Sequence, residues 1–167
     1  MTLHATEHLR NVRATLLNYI AGLTLAGSPT LQPAEASRTA AAQASPYMRA
    51  RVNVEGGDFD GRYDATTLAY WTSAVVTIDL FWRSGEQAGS YSSADIDDAA
   101  SQLAHAFRRA HIQLNDYVTD PANPTAVPNI SIAFRRPVVP RQLPTSGLWL
   151  RRQVIAEGRF HLLHSTT

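Results

Sequence analysis

The chain has 167 residues, 44% hydrophobic and 17% charged, enough for one hydrophobic core, and we expect a single domain over residues 1–167. No apolar run reaches the roughly 18–20 residues that a membrane-spanning helix needs, and the N-terminus lacks a signal-peptide pattern, so we expect no membrane contact. Absent cysteine excludes disulfides and thiolate chemistry, and a net charge of +1 argues against a dedicated nucleic-acid binder.

The first predicted element is an amphipathic helix. Its apolar residues recur at spacings of three and four: Leu9, Val12, Leu16, Ile20 and Leu23. Gly22 and Gly27 end this pattern. Residues 26–46 then mix Gly, Ser, Pro and an alanine run, which predicts a loop or a wrapping arm.

Two strands are predicted next. From Tyr47 to Val54 apolar and polar residues alternate, as in a half-buried strand with a basic outer face. The Gly- and Asp-rich stretch Glu55–Asp64 predicts a tight reversal. Tyr70–Trp82 alternates again and predicts a long central strand. Because thirteen extended residues exceed the usual strand length, we expect part of this hairpin to project toward neighbouring molecules.

A second helix is predicted after Gly89. Ser92 with Asp95 three residues later forms an N-terminal capping pattern, and acidic residues in the first turn complement the helix dipole. The apolar stripe of this helix comprises six residues: Ile96, Ala99, Ala100, Leu103, Phe107 and Ala110.

The C-terminal third is predicted to be a loop followed by two strands. Residues 115–129 are rich in Asp, Asn and Pro, and a strand follows at Ile130–Phe134. Three prolines then predict an extended, irregular stretch. The last strand runs from Leu148 to about Leu163, with a bulge at Gly158. The whole order predicts an α+β fold: a mainly antiparallel sheet of about four to five strands with two helices packed on one side.

One pattern of catalytic type is present. His4, Glu7 and His8 spell H-x-x-E-H, the inverted zinc-peptidase signature, so a small metal-dependent hydrolase is one alternative. Polar residues on the first helical turn explain the same pattern. Neither a phosphate-binding loop nor a nucleophile elbow occurs. We therefore expect no enzyme activity, no catalytic residue, no cofactor and no bound metal.

Arginine dominates the remaining polar signal. All fifteen basic residues are arginine, a bias that we attribute first to GC-rich coding. Arginine nevertheless suits interfaces, because it pairs bidentately with carboxylates and stacks on aromatic rings. Arg49 and Arg51 share one strand face, and Arg151 shares another with Trp149 and Gln153. The predicted interface set is Arg49, Arg51, Arg135, Arg136, Trp149, Arg151 and Arg152.

The order and spacing of several local patterns resemble the tail terminator, or tail completion, proteins of long-tailed bacteriophages. The patterns follow the opening helix and are S-P-Y-M-R-A-R-V-N-V at 45–54, T-I-D-L-F-W-R-S-G-E at 77–86, the helix ending in Ala106-Phe107, F-R-R-P at 134–137 and G-L-W-L-R-R-Q-V-I at 147–155. The chain departs from shorter members of that family in its longer segments at 34–46 and 115–129.

The resemblance implies a structural virion protein. Such a protein forms a hexameric ring on the head-proximal end of the tail tube, ends tube polymerisation and provides the docking surface for the head connector. Its implied partners are further copies of itself, the tail tube protein and a head-completion protein, while DNA passes through without specific binding. Its implied location is the head–tail junction of the virion, and the host cytoplasm during assembly. A head-completion or neck protein is the alternative within the same class.

Overall fold

The computed structural model describes residues 4–32, 46–83, 93–136, 138–146 and 149–165. A single 3₁₀ turn, Ala5–Glu7, precedes the regular elements. In chain order these are α1 (Leu9–Ala21), β1 (Thr30–Gln32), β2 (Tyr47–Arg62), β3 (Thr67–Arg83), α2 (Ser93–Phe107), β4 (His111–Asp116), β5 (Thr125–Phe134), β6 (Arg141–Ser146) and β7 (Trp149–Ser165). The predicted cap residue Ser92 lies outside the described residues.

The strands form one sheet in the order β1-β2-β3-β7-β5-β4, and β6 also pairs with β7. Only β1 and β2 are parallel; the other pairs in the described part are antiparallel. One edge of β7 pairs with β3, and the other edge pairs with two different strands along its length. β6 pairs with its first residues, Trp149–Gln153, and β5 pairs with Gly158 and Arg159. The sheet thereby curls into a half-barrel.

The predicted sheet of four to five strands with two helices packed on one side is therefore wrong. The protein is mostly sheet, 54% strand and 23% helix, with seven strands in the described part of the chain. The prediction missed β1, β4 and β6, which have three, six and six residues. Strands this short carry too few alternating residues to show a period, and Pro144 within β6 marks an irregular segment when read alone.

The core lies between the helices and one face of β2, β3 and β7. The strand prediction for this face is confirmed: Ala74, Val76, Ile78, Leu80 and Trp82 are fully buried. The helix stripes are confirmed in their central residues, whereas Leu9 is 46% exposed and Leu23 and Ala110 lie outside the helices. On α1 the buried stripe is Val12, Leu16 and Ile20, and on α2 it is Ile96, Ala99, Ala100, Leu103 and Phe107. α1 packs on β4 and α2 on β7, so the two helices do not share one strand pair.

The reversal between β2 and β3 lies later than predicted. β2 continues through the glycine-rich stretch to Arg62, and the turn is at residues 63–66, where Asp64 accepts a hydrogen bond from the amide of Thr66 over 2.9 Å. The register of β2 against β3 shifts after Glu55 and after Phe59, so the two strands stay paired through the glycine-rich stretch. β2, β3 and β7 thus form a three-stranded ribbon of 16, 17 and 17 residues.

Gly158 is not a bulge, contrary to prediction. The pairing of β7 with β3 runs without a break through this residue. A Cβ atom at Gly158 would lie 2.7 Å from Cγ2 of Ile132 and 2.8 Å from Cζ of Phe134. The glycine is present because β5 packs too closely on β7 for any side chain there.

Candidate interface

The face of the ribbon opposite the core carries aromatic and arginine side chains from three strands. Register places Tyr47 of β2 beside Phe81 of β3, and Phe81 beside Arg151 of β7. Arg49 and Trp149 occupy neighbouring positions on the same face. We call these five residues the aromatic–arginine face. Three of the five, Arg49, Trp149 and Arg151, belong to the predicted interface set, and the fold brings them together from strands about one hundred residues apart in sequence.

The rings of this face contact one another directly. Tyr47 stacks on Phe81 with centroids 4.6 Å apart, and Trp149 meets the Tyr47 ring edge-on at 5.5 Å. The guanidinium of Arg151 lies 5.1 Å from the Phe81 centroid, and that of Arg49 lies 5.6 Å from the Tyr47 centroid. Aromatic pairs and cation–π contacts of this kind contribute about 0.5–1.5 kcal/mol each. They hold the face in a fixed arrangement.

Asp79 anchors the next row of the same face. Its carboxylate is buried, and it accepts hydrogen bonds from Arg51 of β2 over 3.2 Å and from Gln153 of β7 over 2.9 Å. The Arg51 side chain remains 62% exposed although its guanidinium pairs with Asp79. Asp79 therefore positions the guanidinium of an arginine that is still open to solvent.

Arg152, by contrast, lies on the core side of the sheet. Its Nε donates to Oδ1 of Asp97 on α2 over 2.6 Å, and its side chain is only 10% exposed. Neighbouring residues of a strand point to opposite faces, which separates Arg152 from Arg151. Within one subunit this arginine joins β7 to α2.

Arg135 and Arg136 follow β5, at a distance from the aromatic–arginine face. They line a cavity of about 300 Å³ with Trp71, Glu157 and Arg159. A second cavity of similar size brings in Arg108 and Arg109 from the turn after α2. We define the arginine cluster as Arg108, Arg109, Arg135, Arg136 and Arg159. Arg108, Arg109 and Arg159 were missed as site residues, because the first two read as ordinary helix C-terminal charges and the third as an isolated strand residue.

The distal end of the ribbon exposes large apolar side chains beside acidic ones. Phe59 is 64% exposed, Tyr63 49% and Trp71 37%. The acidic residues of this ribbon end are Glu55, Asp58, Asp60 and Asp64. His161 lies over Trp71 with ring centroids 3.8 Å apart, and its Nε2 is 3.0 Å from Asp60.

The H-x-x-E-H residues serve the chain's own N-terminal turn. Glu7 accepts a hydrogen bond from the amide of His4 and also contacts Nδ1 of His164 on β7. Burial alone would raise the pKa of Glu7, but the His164 and His4 hydrogen bonds outweigh it and hold the pKa below its ordinary value. Among the described residues no three His, Asp or Glu side chains are grouped to hold a metal ion.

Comparison with known proteins defines the fold only. No protein-family profile matches the chain, and neither does any curated protein. Solved structures do match: one, whose name describes no function, superposes with a TM-score of 0.51 at 16% sequence identity, over 90% of each chain. At that identity the similarity concerns architecture alone. In the described segments, no helix combines the length and apolar character needed to cross a bilayer.

Proposed function

We propose that this chain is a structural virion protein that caps the head-proximal end of a phage tail tube as a ring. One observation carries the proposal beyond the sequence resemblance: the distal end of the ribbon exposes the large apolar side chains Phe59, Tyr63 and Trp71, with Phe59 and Trp71 on opposite faces of the ribbon. Exposed apolar groups rimmed by charge are typical of surfaces that bind other proteins. A ribbon of this length is suited to reach a neighbouring subunit.

The proposed mechanism is capping. A ring closes through heterologous contacts, in which one surface of each subunit binds a different surface of the next. One ring face then binds the last ring of tube subunits, and the other offers no site for a further tube ring. The resemblance implies a hexamer, with the tail tube protein and the head connector as partners. DNA passes through the ring without specific binding.

The interface residues divide by position under this proposal. Arg49, Arg51, Trp149 and Arg151 contribute to contacts with the tube or a neighbouring subunit, because they lie on the face opposite the helices. Arg135 and Arg136 contribute at a second surface beyond β5. Arg152 stabilises the subunit through Asp97 rather than binding a partner directly.

Electron microscopy of the purified protein mixed with headless tails tests the proposal. We expect density at one tube end only, and tube length fixed in its presence. The variant W149A/R151E should lose capping, since it removes one ring and one cation from the aromatic–arginine face. R10E/R13E, on the exposed side of α1, reverses more charge and should cap normally.

Two outcomes would contradict the proposal. Wild-type protein that leaves tube ends bare but binds tail-free heads would identify a head-completion protein instead. A W149A/R151E variant that caps as well as wild type would remove the aromatic–arginine face from the tube contact.

A further inference from the structure

Two surfaces of opposite charge lie on opposite sides of the ribbon. One is the arginine cluster, formed by Arg159 of β7 and by residues at the ends of β5 and α2. The other, which we call the acidic end of β2, is the distal part of β2 with the start of the following turn, Glu55–Asp64, and carries four carboxylates and one arginine. Both border Trp71: it lines the arginine cavity, and Asp58 is its register partner on β2.

Most of the arginine cluster is uncompensated within the subunit. Glu157 pairs with Arg136 over 2.6 Å and lies 3.9 Å from Arg159. Arg108, Arg109 and Arg135 have no ion pair or side-chain hydrogen bond among the described residues. The Arg136 and Arg159 side chains are mainly exposed, and ion pairs this exposed contribute little to stability. These guanidinium groups are therefore available to a partner.

The acidic end of β2 is likewise partly unused. Asp60 contacts His161 and Asp64 caps its turn. Glu55 and Asp58 are exposed and, within the described part of the chain, their carboxylates make no hydrogen bond or ion pair. β1 pairs only with the start of β2, at residues 47–49. Among the described strands, none covers the outer edge of β2 beside Glu55 and Asp58.

Glu55 and Asp58 are too far from Arg135 and Arg136 to be neutralised by them within one subunit. β2 and β5 are separated by β3 and β7, three strand spacings or about 14 Å. Side chains that lie this far apart in one sheet meet only when a second copy of the chain lies alongside. A side-by-side arrangement of this kind is head-to-tail, the geometry that closes a ring.

We infer that the acidic end of β2 in one subunit docks on the arginine cluster of the next. This inference rests on the proposed ring and names its subunit contact. Arg62 within the acidic end offers a cation for Glu157, which lines the same cavity as Arg135 and Arg136. A polyphosphate ligand would meet Glu157 as a repulsive charge, whereas a mixed-charge protein surface does not. Phe59 and Tyr63 supply the apolar area between the charges.

A charge-swap experiment on the full-length chain tests the contact. E55R/D58R and R135E/R136E should each weaken self-association about tenfold or more, since like charges then face each other. The combined quadruple variant should return to within about threefold of wild type. Sedimentation velocity over a concentration series, free and with tail tubes, measures the association. Circular dichroism checks that each variant is folded. If R135E/R136E is not, R135Q/R136Q replaces it and neutralises the two charges without reversing them.

Matched controls separate this contact from general charge effects. D98R adds positive charge on α2, and R10E/R13E adds negative charge on α1, both at exposed positions away from the two surfaces. Both controls should associate as wild type. The inference is overturned if the two interface variants also associate as wild type, or if the quadruple variant is no better than either.

The outcomes also separate this contact from the function and from nucleic-acid binding. If the double variants associate as wild type, or the quadruple variant does not recover, while the protein still caps tubes, the subunit contact is overturned and the proposed function is not. If the quadruple variant recovers self-association but neither it nor wild type binds tubes, the subunit contact is supported and the proposed capping function is overturned. Wild-type protein that stays monomeric both free and on tubes overturns the contact. The contact is also overturned if R135E/R136E assembles normally but no longer binds double-stranded DNA, because the arginine cluster would then be a phosphate-binding site.

Discussion

The ion pair between Arg152 of β7 and Asp97 of α2 joins the last strand to the second helix, with Nε and Oδ1 2.6 Å apart. The pair Arg136–Glu157 has the same length, but the arginine is 65% exposed there against 10% for Arg152. The two ion pairs thus have the same nitrogen–oxygen distance but very different solvent exposure of the arginine, and they should differ in their contribution to stability.

Removing the carboxylate at each pair measures this difference. Asp97→Asn leaves a buried guanidinium without its counter-ion and should lower the free energy of unfolding by about 1–3 kcal/mol. Glu157→Gln should lower it by less than about 1 kcal/mol, because water solvates Arg136. Urea unfolding followed by fluorescence gives both values. Equal losses for the two variants would show that burial does not control the contribution.

Gly158→Ala should destabilise the fold through overpacking. The added methyl group would lie 2.7 Å from Ile132, so β5 must move away from β7. We expect a loss of about 1–3 kcal/mol in the free energy of unfolding. Gly22→Ala is the control, since its φ of −81° suits alanine and the nearest atom is 3.5 Å from the new Cβ. That variant should be neutral or slightly stabilised.

Asp116 should make stability depend on acid pH. Hydrogen bonds, first of all from the Thr119 hydroxyl, hold the pKa of Asp116 at about 2, below its ordinary value of 3.8. A lowered folded-state pKa gives stability that is present above the ordinary pKa and is lost as pH falls through the folded-state pKa. As the pH is lowered from about 5 to about 2, the free energy of unfolding should therefore decrease more steeply for wild type than for Asp116→Asn. Parallel slopes would contradict this assignment.

Asn11 should contribute to stability beyond its own helix. It is fully buried on α1, donates to the Asp116 carboxylate over 3.0 Å, and accepts hydrogen bonds from the amides of Tyr117 and Val118. Asn11→Ala leaves these groups unpaired, and we expect a loss of about 1–3 kcal/mol on chemical unfolding. Asn18→Ala removes one exposed hydrogen bond to Tyr117 and should cost much less.

Phe59→Ser should weaken assembly without weakening the fold. The side chain is 64% exposed, so its removal sacrifices little buried area beyond the edge-on contact with Tyr70. The free energy of unfolding should change by less than about 1 kcal/mol. Self-association in sedimentation should fall markedly, since exposed aromatic residues supply most of the energy of many interfaces. A variant that associates normally would remove Phe59 from the proposed contact.

Patterns that lie within one continuous segment were enough to predict both helices and the long strands. The central stripe residues of α1 and α2 and the core-facing alternation of β3 were predicted correctly, whereas β2 was predicted to end at Val54 and continues to Arg62. The same alternation placed Arg49 with Arg51, and Trp149 with Arg151, on common faces. Arg152 was grouped with Arg151 in the predicted interface set, and its core-side position beside Asp97 became apparent only in the folded chain.

The order and register in which those segments pair could be seen only in the tertiary structure. Strand order and register depend on contacts between residues far apart in the chain, and no single-segment period encodes them. Three short strands, the half-barrel curl and the close approach at Gly158 therefore escaped prediction. The arginine cluster escaped for the same reason. Its residues come from the end of α2, the end of β5 and the middle of β7, and only folding makes them neighbours.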